Sequence, residues 1–244
     1  MRNIKLTIQY DGTAYHGWQT QKNAVTVQET LEKAITEVTG TKPQLTGCSR
    51  TDAGVHAEHF VANFKSETKI PCDKIPMALN TYLPQDIVCM KAENEQQEFN
   101  ARFSAKKKRY TYYIQNSRFP NVFKVNYSWH YPYKINIDDM RRAAAAFLGE
   151  HDFIGFAASG FTVKTTVRTI YSLDIEQLGE LIKITVCGDG FLYNMVRIIA
   201  GTLVFAGCGK INPDDMQDII ASCDRTRAGI TAPPQGLFLS EVYY

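Results

Sequence analysis

The hydrophobic pattern of this chain switches between the two-residue period of a strand and the 3.6-residue period of a helix, and the order of switching occurs twice. Ile4, Leu6, Ile8 and Tyr10 alternate as a half-buried strand does, and Asp11-Gly12 ends the run with turn chemistry. Thr26 and Glu29 form a capping-box pattern ahead of Val27, Leu31, Ala34, Ile35 and Val38, which share one helical face; Gly40 stops the helix. Strands are expected around Gln44 to Cys48 and His59 to Phe64, a helix over Asp73 to Tyr82 and a strand over Ile87 to Lys91. Arg109 to Ile114 opens the second round, and Asn136 caps a helix carrying Met140, Ala143, Ala144 and Phe147 that ends at Gly149. Val167 to Ile175 and Leu181 to Val186 read as an antiparallel pair. Helices follow over Phe191 to Phe205 and from Asn212-Pro213, and Leu237 to Tyr243 closes as a strand. The halves share element order without clear residue-level identity. The expected fold is therefore α+β: two split β-α-β halves, ferredoxin-like or RRM-like, with antiparallel sheets and a central cleft, residues 1–101 and 102–244. Helices would cover one face of each sheet and leave the other open. RNA-binding proteins of this architecture use such a face, but the aromatic R-G-F-x-F-type strand they usually carry is absent, and fold does not fix function.

Composition narrows the class. With 44% apolar and 21% charged residues in 244, the chain can bury a sizeable core. No apolar run reaches the ~18 residues of a membrane span, and Met1-Arg2-Asn3-Ile4 enters the first alternation without a signal-peptide core, so a cytoplasmic protein is expected. The six cysteines have no C-x-x-C spacing and read as reduced thiols, and nothing near His56 and His59 completes a metal-ligand set. Net charge is only +2, yet positive charge clusters at Lys106-Lys107-Lys108-Arg109, Arg141-Arg142, Lys164 with Arg168, and Arg225 with Arg227. That distribution fits a protein that meets phosphate over one surface. The first cluster stands out because it abuts Tyr110, Tyr112 and Tyr113.

The stretch Arg50-Thr51-Asp52-Ala53-Gly54-Val55-His56-Ala57 joins two expected strands and sets a carboxylate two residues after a guanidinium. In extended chain these side chains face one space, and a carboxylate beside a guanidinium is held ionised, the state a nucleophile or general base needs. Gly54 lets the backbone turn or approach a ligand closely. The same residues also suit a plain turn, and from this stretch alone both readings stand. Three further segments bear on the choice. Tyr10 to Gln19 alternates aromatics with glycines, and exposed aromatics would offer stacking platforms for bases. Gly190 to Arg197 opens a helix with its one full positive charge at Arg197, and Ala232-Pro233-Pro234-Gln235-Gly236-Leu237 is a rigid turn before the last strand.

Taken together, Arg50 to His56, Tyr10-Asp11-Gly12-Thr13, Gly17-Trp18-Gln19, Phe191 to Arg197 and Ala232 to Leu237 resemble the TruA family of tRNA pseudouridine synthases over nearly the whole chain. The resemblance implies that Asp52 is the catalytic aspartate and that Tyr110 stacks on the target base. It implies that Arg50 helps extrude the target nucleotide and that Arg197 pairs with the aspartate. Tyr112, two residues from Tyr110, is a possible double for it, and Tyr193 and Asn194 are assigned no role. The implied substrate is tRNA, modified at uridines 38, 39 and 40 of the anticodon arm by a homodimer without cofactor or metal. Pseudouridine formation breaks the C1′–N1 bond of uridine, rotates the uracil and rejoins it through C5. The aspartate acts as an anion whether it attacks C1′ or removes a C2′ proton. A non-catalytic RNA-binding module and a glycosidase-like hydrolase are the alternatives; the latter lacks an evident second carboxylate near Asp52.

Overall fold

The computed structural model describes residues 1–160 and 163–244. In chain order the elements are β1 (Arg2–Tyr10), α1 (Val27–Thr39), β2 (Thr46–Gly47), β3 (His56–Ser66), α2 (Ile75–Asn80), β4 (Ile87–Glu95), β5 (Lys107–Gln115), β6 (Trp129–His130) and α3 (Ile137–Ala145). There follow β7 (Gly149–Asp152), β8 (Val167–Leu178), β9 (Leu181–Gly188), α4 (Met195–Gly207), α5 (Met216–Ala221) and β10 (Leu237–Tyr243). This is a mixed α+β chain. It divides into two compact units, Met1–Lys106 with Phe238–Tyr244, and Lys107–Leu237.

In the first unit β1 lies between β4 and β3, antiparallel to both, with Leu6 opposite Ala92 on one side and Ala62 on the other. β2 pairs antiparallel with β3, and β10 runs parallel to β3 with Phe238 opposite His56. The alternation seen in the sequence is the core: Ile4, Leu6 and Ile8 are fully buried. Helix α1 buries Val27, Leu31, Ala34 and Ile35, and the Thr26 side chain accepts from the Glu29 N–H. Val27, Leu31 and Ile35 at ~1.5–3 kcal/mol each outweigh a cap worth ~1 kcal/mol, so packing holds α1 while the cap fixes where it starts. Gly40 ends it in the left-handed conformation, as expected. Helix α2 is shorter than Asp73 to Tyr82, because its cap position is Lys74, which makes no side-chain cap bond.

In the second unit the strand order is β5-β9-β8-β7, each neighbouring pair antiparallel, with β6 parallel to β5. Tyr110, Tyr112 and Ile114 face Val186, Ile184 and Ile182 across the ladder. Asn136 caps α3, accepting from the Asp138 and Asp139 N–H groups, but the helix stops at Ala145, short of Gly149. Helix α4 is buried on nearly every side and starts at Met195, four residues later than the pattern from Phe191 indicates. Segment 229–232 lies directly on it. A Cβ at Gly201 would fall 1.9 Å from the Ile230 carbonyl oxygen, and Thr202 Oγ1 accepts from the Gly229 N–H at 2.9 Å. Among the described residues no helix is long and apolar enough to cross a membrane.

Candidate active site

The loop from Cys48 to Val55 leaves β2 and enters β3 with Asp52 at its turn. Val55 N–H donates to the Asp52 carbonyl at 3.2 Å, and Gly54 at φ 76° supplies the left-handed residue that the sequence pointed to. The loop is fastened by its backbone and by Thr51. Trp18 N–H donates to the Thr51 carbonyl (3.2 Å), Gly54 N–H to the Tyr15 carbonyl (3.2 Å), and the Tyr10 hydroxyl meets Thr51 Oγ1 at 2.9 Å in a buried contact. Asp52 is half-buried while Arg50 is exposed.

The Tyr10 to Gln19 segment corrects the expectation of exposed stacking platforms. Tyr10, Tyr15 and Trp18 are each 5% exposed or less. Trp18 stacks on Phe60 with ring centroids 4.0 Å apart, and the Tyr15 hydroxyl donates to Asp86 Oδ1 at 2.7 Å. Burial, reinforced by the Asp86 carboxylate, pushes the Tyr15 phenol far above its ordinary range, so it stays a donor. These rings carry too much apolar area to be left in water when a sheet face beside them can take it. Their glycines serve close approach: a Cβ at Gly12 would fall 2.0 Å from the Val55 carbonyl oxygen, and one at Gly17 2.3 Å from that of Thr51. The segment is the seat of the aspartate loop.

His56 closes the base of that seat. It is 1% exposed and stacked on Phe238. Gly12 N–H donates to its Nδ1 at 3.0 Å, so Nδ1 accepts and the ring proton is on Nε2 while that bond is made. Asp11 Oδ1 is 3.1 Å from the same nitrogen. Sequence reasoning gave neither Thr51 nor His56 a supporting role; the only signal was the pair of glycines in the preceding loop.

In the second unit Tyr110 and Tyr112 share a strand face but differ in use. Tyr112 is fully buried, and its hydroxyl donates to the Pro233 carbonyl at 2.7 Å. Burial raises its phenol strongly, with the Arg197 charge acting the other way. That bond makes Tyr112 a tie for the Ala232 to Leu237 turn and removes it as a double for Tyr110. The Tyr110 ring is 6% exposed and packs T-shaped with Phe191, ring centroids 5.1 Å apart. Arg197, in the first turn of α4, donates from Nε to the Ala232 carbonyl (2.7 Å) and from Nη1 to Asn194 Oδ1 (2.8 Å). The Ala232 N–H in turn donates to the Arg197 carbonyl at 3.1 Å.

Arg141 pairs with Asp138, and Arg142 lies 3.6 Å from both Asp139 and Asp214, so the acidic residues at helix starts already answer that cluster. Lys106, Lys107 and Arg109 are exposed around β5. Among the described residues no group of three or more His, Cys, Asp or Glu is placed to hold a metal ion.

A model of the tRNA pseudouridine synthase family matches residues 6–104 and 143–244. The chain belongs to that family. Proteins named tRNA pseudouridine synthase A are 55% identical in Thermoanaerobacter sp. (strain X514) and 52% identical in Acetivibrio thermocellus, each over 100% of both chains. A solved archaeal box H/ACA sRNP Nop10–Cbf5 complex aligns at 11% identity with a TM-score of 0.39, covering 82% of this chain and 42% of that one, a likeness too loose to bear on the fold. Within this family of isomerases, Arg50, Asp52 and Arg197 fall inside the matched spans and Tyr110 between them.

Proposed function

We propose that this tRNA pseudouridine synthase isomerises uridines 38, 39 and 40 of the tRNA anticodon stem-loop, using Asp52 and no cofactor. The observation that carries the reading is full-length identity of 55% to a tRNA pseudouridine synthase A. The loop geometry supports it, since a turn serving only to reverse the chain would not need two glycines beneath it and a buried threonine to fix its path.

Asp52 acts as the catalytic carboxylate, on C1′ or on the C2′ proton, and Arg197 holds it oriented. Tyr110 stacks on the detached uracil and helps remove the C5 proton, exchanging part of its present packing for the base. Arg50, exposed beside Asp52, helps extrude the nucleotide, a step costing a few kcal/mol that phosphate contacts elsewhere offset. In this reading the fold is two split β-α-β halves with antiparallel sheets. Residues 1–101 bring the aspartate, and 102–244 the tyrosine and arginine. The β4-β1-β3 order with β2 against β3 supports the first half of it. A cytoplasmic homodimer completes the proposal on the family resemblance.

Incubation with unmodified tRNA transcript, followed by positional mapping, should place pseudouridine at 38, 39 or 40. Binding without conversion would leave an RNA-binding module, and release of free uracil a hydrolase.

The cluster Lys106 to Arg109 is assigned to phosphate contacts, because three of its four residues are exposed next to Tyr110. Neutralising all four should weaken tRNA binding and flatten its dependence on log salt by roughly 0.7–0.9 for each phosphate no longer neutralised. An unchanged slope would assign phosphate binding to other basic residues.

A further inference from the structure

We infer that Asn194 is a positioning residue that sets the plane of the Arg197 guanidinium; this rests on the role proposed above for Arg197. Asn194 occupies the N-cap of α4, and its carbonyl accepts the first helical bond, from the Ile198 N–H at 3.0 Å. An asparagine there ordinarily sits in extended backbone and uses its side-chain oxygen to satisfy an N–H of the first turn. Asn194 does neither. Its backbone is left-handed, at φ 61° and ψ 5°, and its side chain makes no cap bond. The oxygen is given instead to Arg197 Nη1, three residues on, at 2.8 Å.

Two local preferences are thus surrendered at one residue, and the side-chain oxygen is spent on one arginine. Such a departure from local rules is what a functional site shows when position matters more than helix stability. The hold is completed from another direction. Nε donates to the Ala232 carbonyl, and Ala232 is itself fixed to the Arg197 carbonyl through its own N–H. The next residue's carbonyl, that of Pro233, accepts from the Tyr112 hydroxyl. A guanidinium bound at Nε and Nη1 cannot rotate about its last torsions. An arginine that must present its planar fork to a carboxylate in one orientation needs that restraint. Asparagine also suits the backbone, being among the residues best tolerated in the left-handed region.

The test separates side chain from backbone. Asn194→Gly keeps the left-handed conformation at no steric cost and deletes the oxygen. We expect a melting temperature close to that of the parent, a KM for tRNA within twofold, and a single-turnover rate about tenfold lower. In an Arg197→Ala background, itself strongly impaired, the same substitution should cost nothing further. A parental rate for Asn194→Gly beside an impaired Arg197→Ala would overturn the role of Asn194 and leave that of Arg197 standing. A parental rate for Arg197→Ala would overturn both. Losses that multiply in the double variant, or that track a lowered melting temperature, would reduce Asn194 to a structural residue.

Discussion

Asp52→Ala is expected to abolish pseudouridine formation while leaving tRNA affinity within about tenfold, ~1.4 kcal/mol. The carboxylate is the only anion between Arg50 and Ala57 of the β2–β3 loop; the other reactive types there, Thr51 and His56, are buried with Oγ1 engaged by Tyr10 and Nδ1 by the Gly12 N–H. The loop backbone is fastened by contacts whose atoms an alanine at position 52 retains. Those contacts are made by Thr51, the Asp52 carbonyl, Gly54 and Val55, and an alanine keeps every backbone group. Affinity should survive because binding energy for a polyanion comes mainly from phosphate contacts spread over basic side chains. The pair of measurements is a single-turnover assay of product and a filter-binding titration. Retained turnover would remove Asp52 from the chemistry, whereas weakened affinity together with abolished turnover would point to a collapsed loop.

The elements that were legible in the sequence are those whose ends carry their own chemistry. Helix α1 has Thr26 and Gly40, α3 has Asn136, and β1 has strict alternation ending at Asp11-Gly12, so local preference and tertiary packing agree there. The start of helix α4 was not legible, because the apolar run from Phe191 continues the period while Asn194 breaks the backbone into the left-handed region. No apolar pattern records that break. Strands β6 and β7, of two and four residues, are too short for alternation to mark. Asp52 and Arg197 could be singled out because their residue types are chemically pointed. Their supports could not, since Thr51, Ala232 and Pro233 act mostly through backbone atoms, which every residue has. The aromatics from Tyr10 to Trp18 misled for the opposite reason: a ring able to stack on a base is equally able to fill a core, and the pattern of glycines fits both.

Gly17→Ala should lower the single-turnover rate about 100-fold or more in a protein that still folds and still binds tRNA within tenfold. Gly17 has φ +84°, where an L side chain costs ~1–2 kcal/mol, and its Cβ would fall 2.3 Å from the Thr51 carbonyl oxygen and 3.1 Å from the Asp52 carbonyl carbon. Relieving such a clash typically costs a further ~1–3 kcal/mol. The direction of relief follows from what holds each side. On the Gly17 side, Trp18 is locked against Phe60 and the Gly17 carbonyl accepts from the Val27 N–H at the start of α1. On the other side stands a loop of turn and coil, so Thr51 to Ala53 should yield. A displacement near 1 Å of a reacting group is worth about 10²-fold in rate. The combined cost of ~2–5 kcal/mol should appear as a melting temperature lowered by roughly 4–20 °C. Gly40→Ala is the control: its φ of +72° carries the same backbone penalty, but nothing lies within 4 Å of its Cβ position. It should lose stability and keep the parental rate. If Gly17→Ala behaves like Gly40→Ala, the loop does not take its position from the Tyr10 to Gln19 segment.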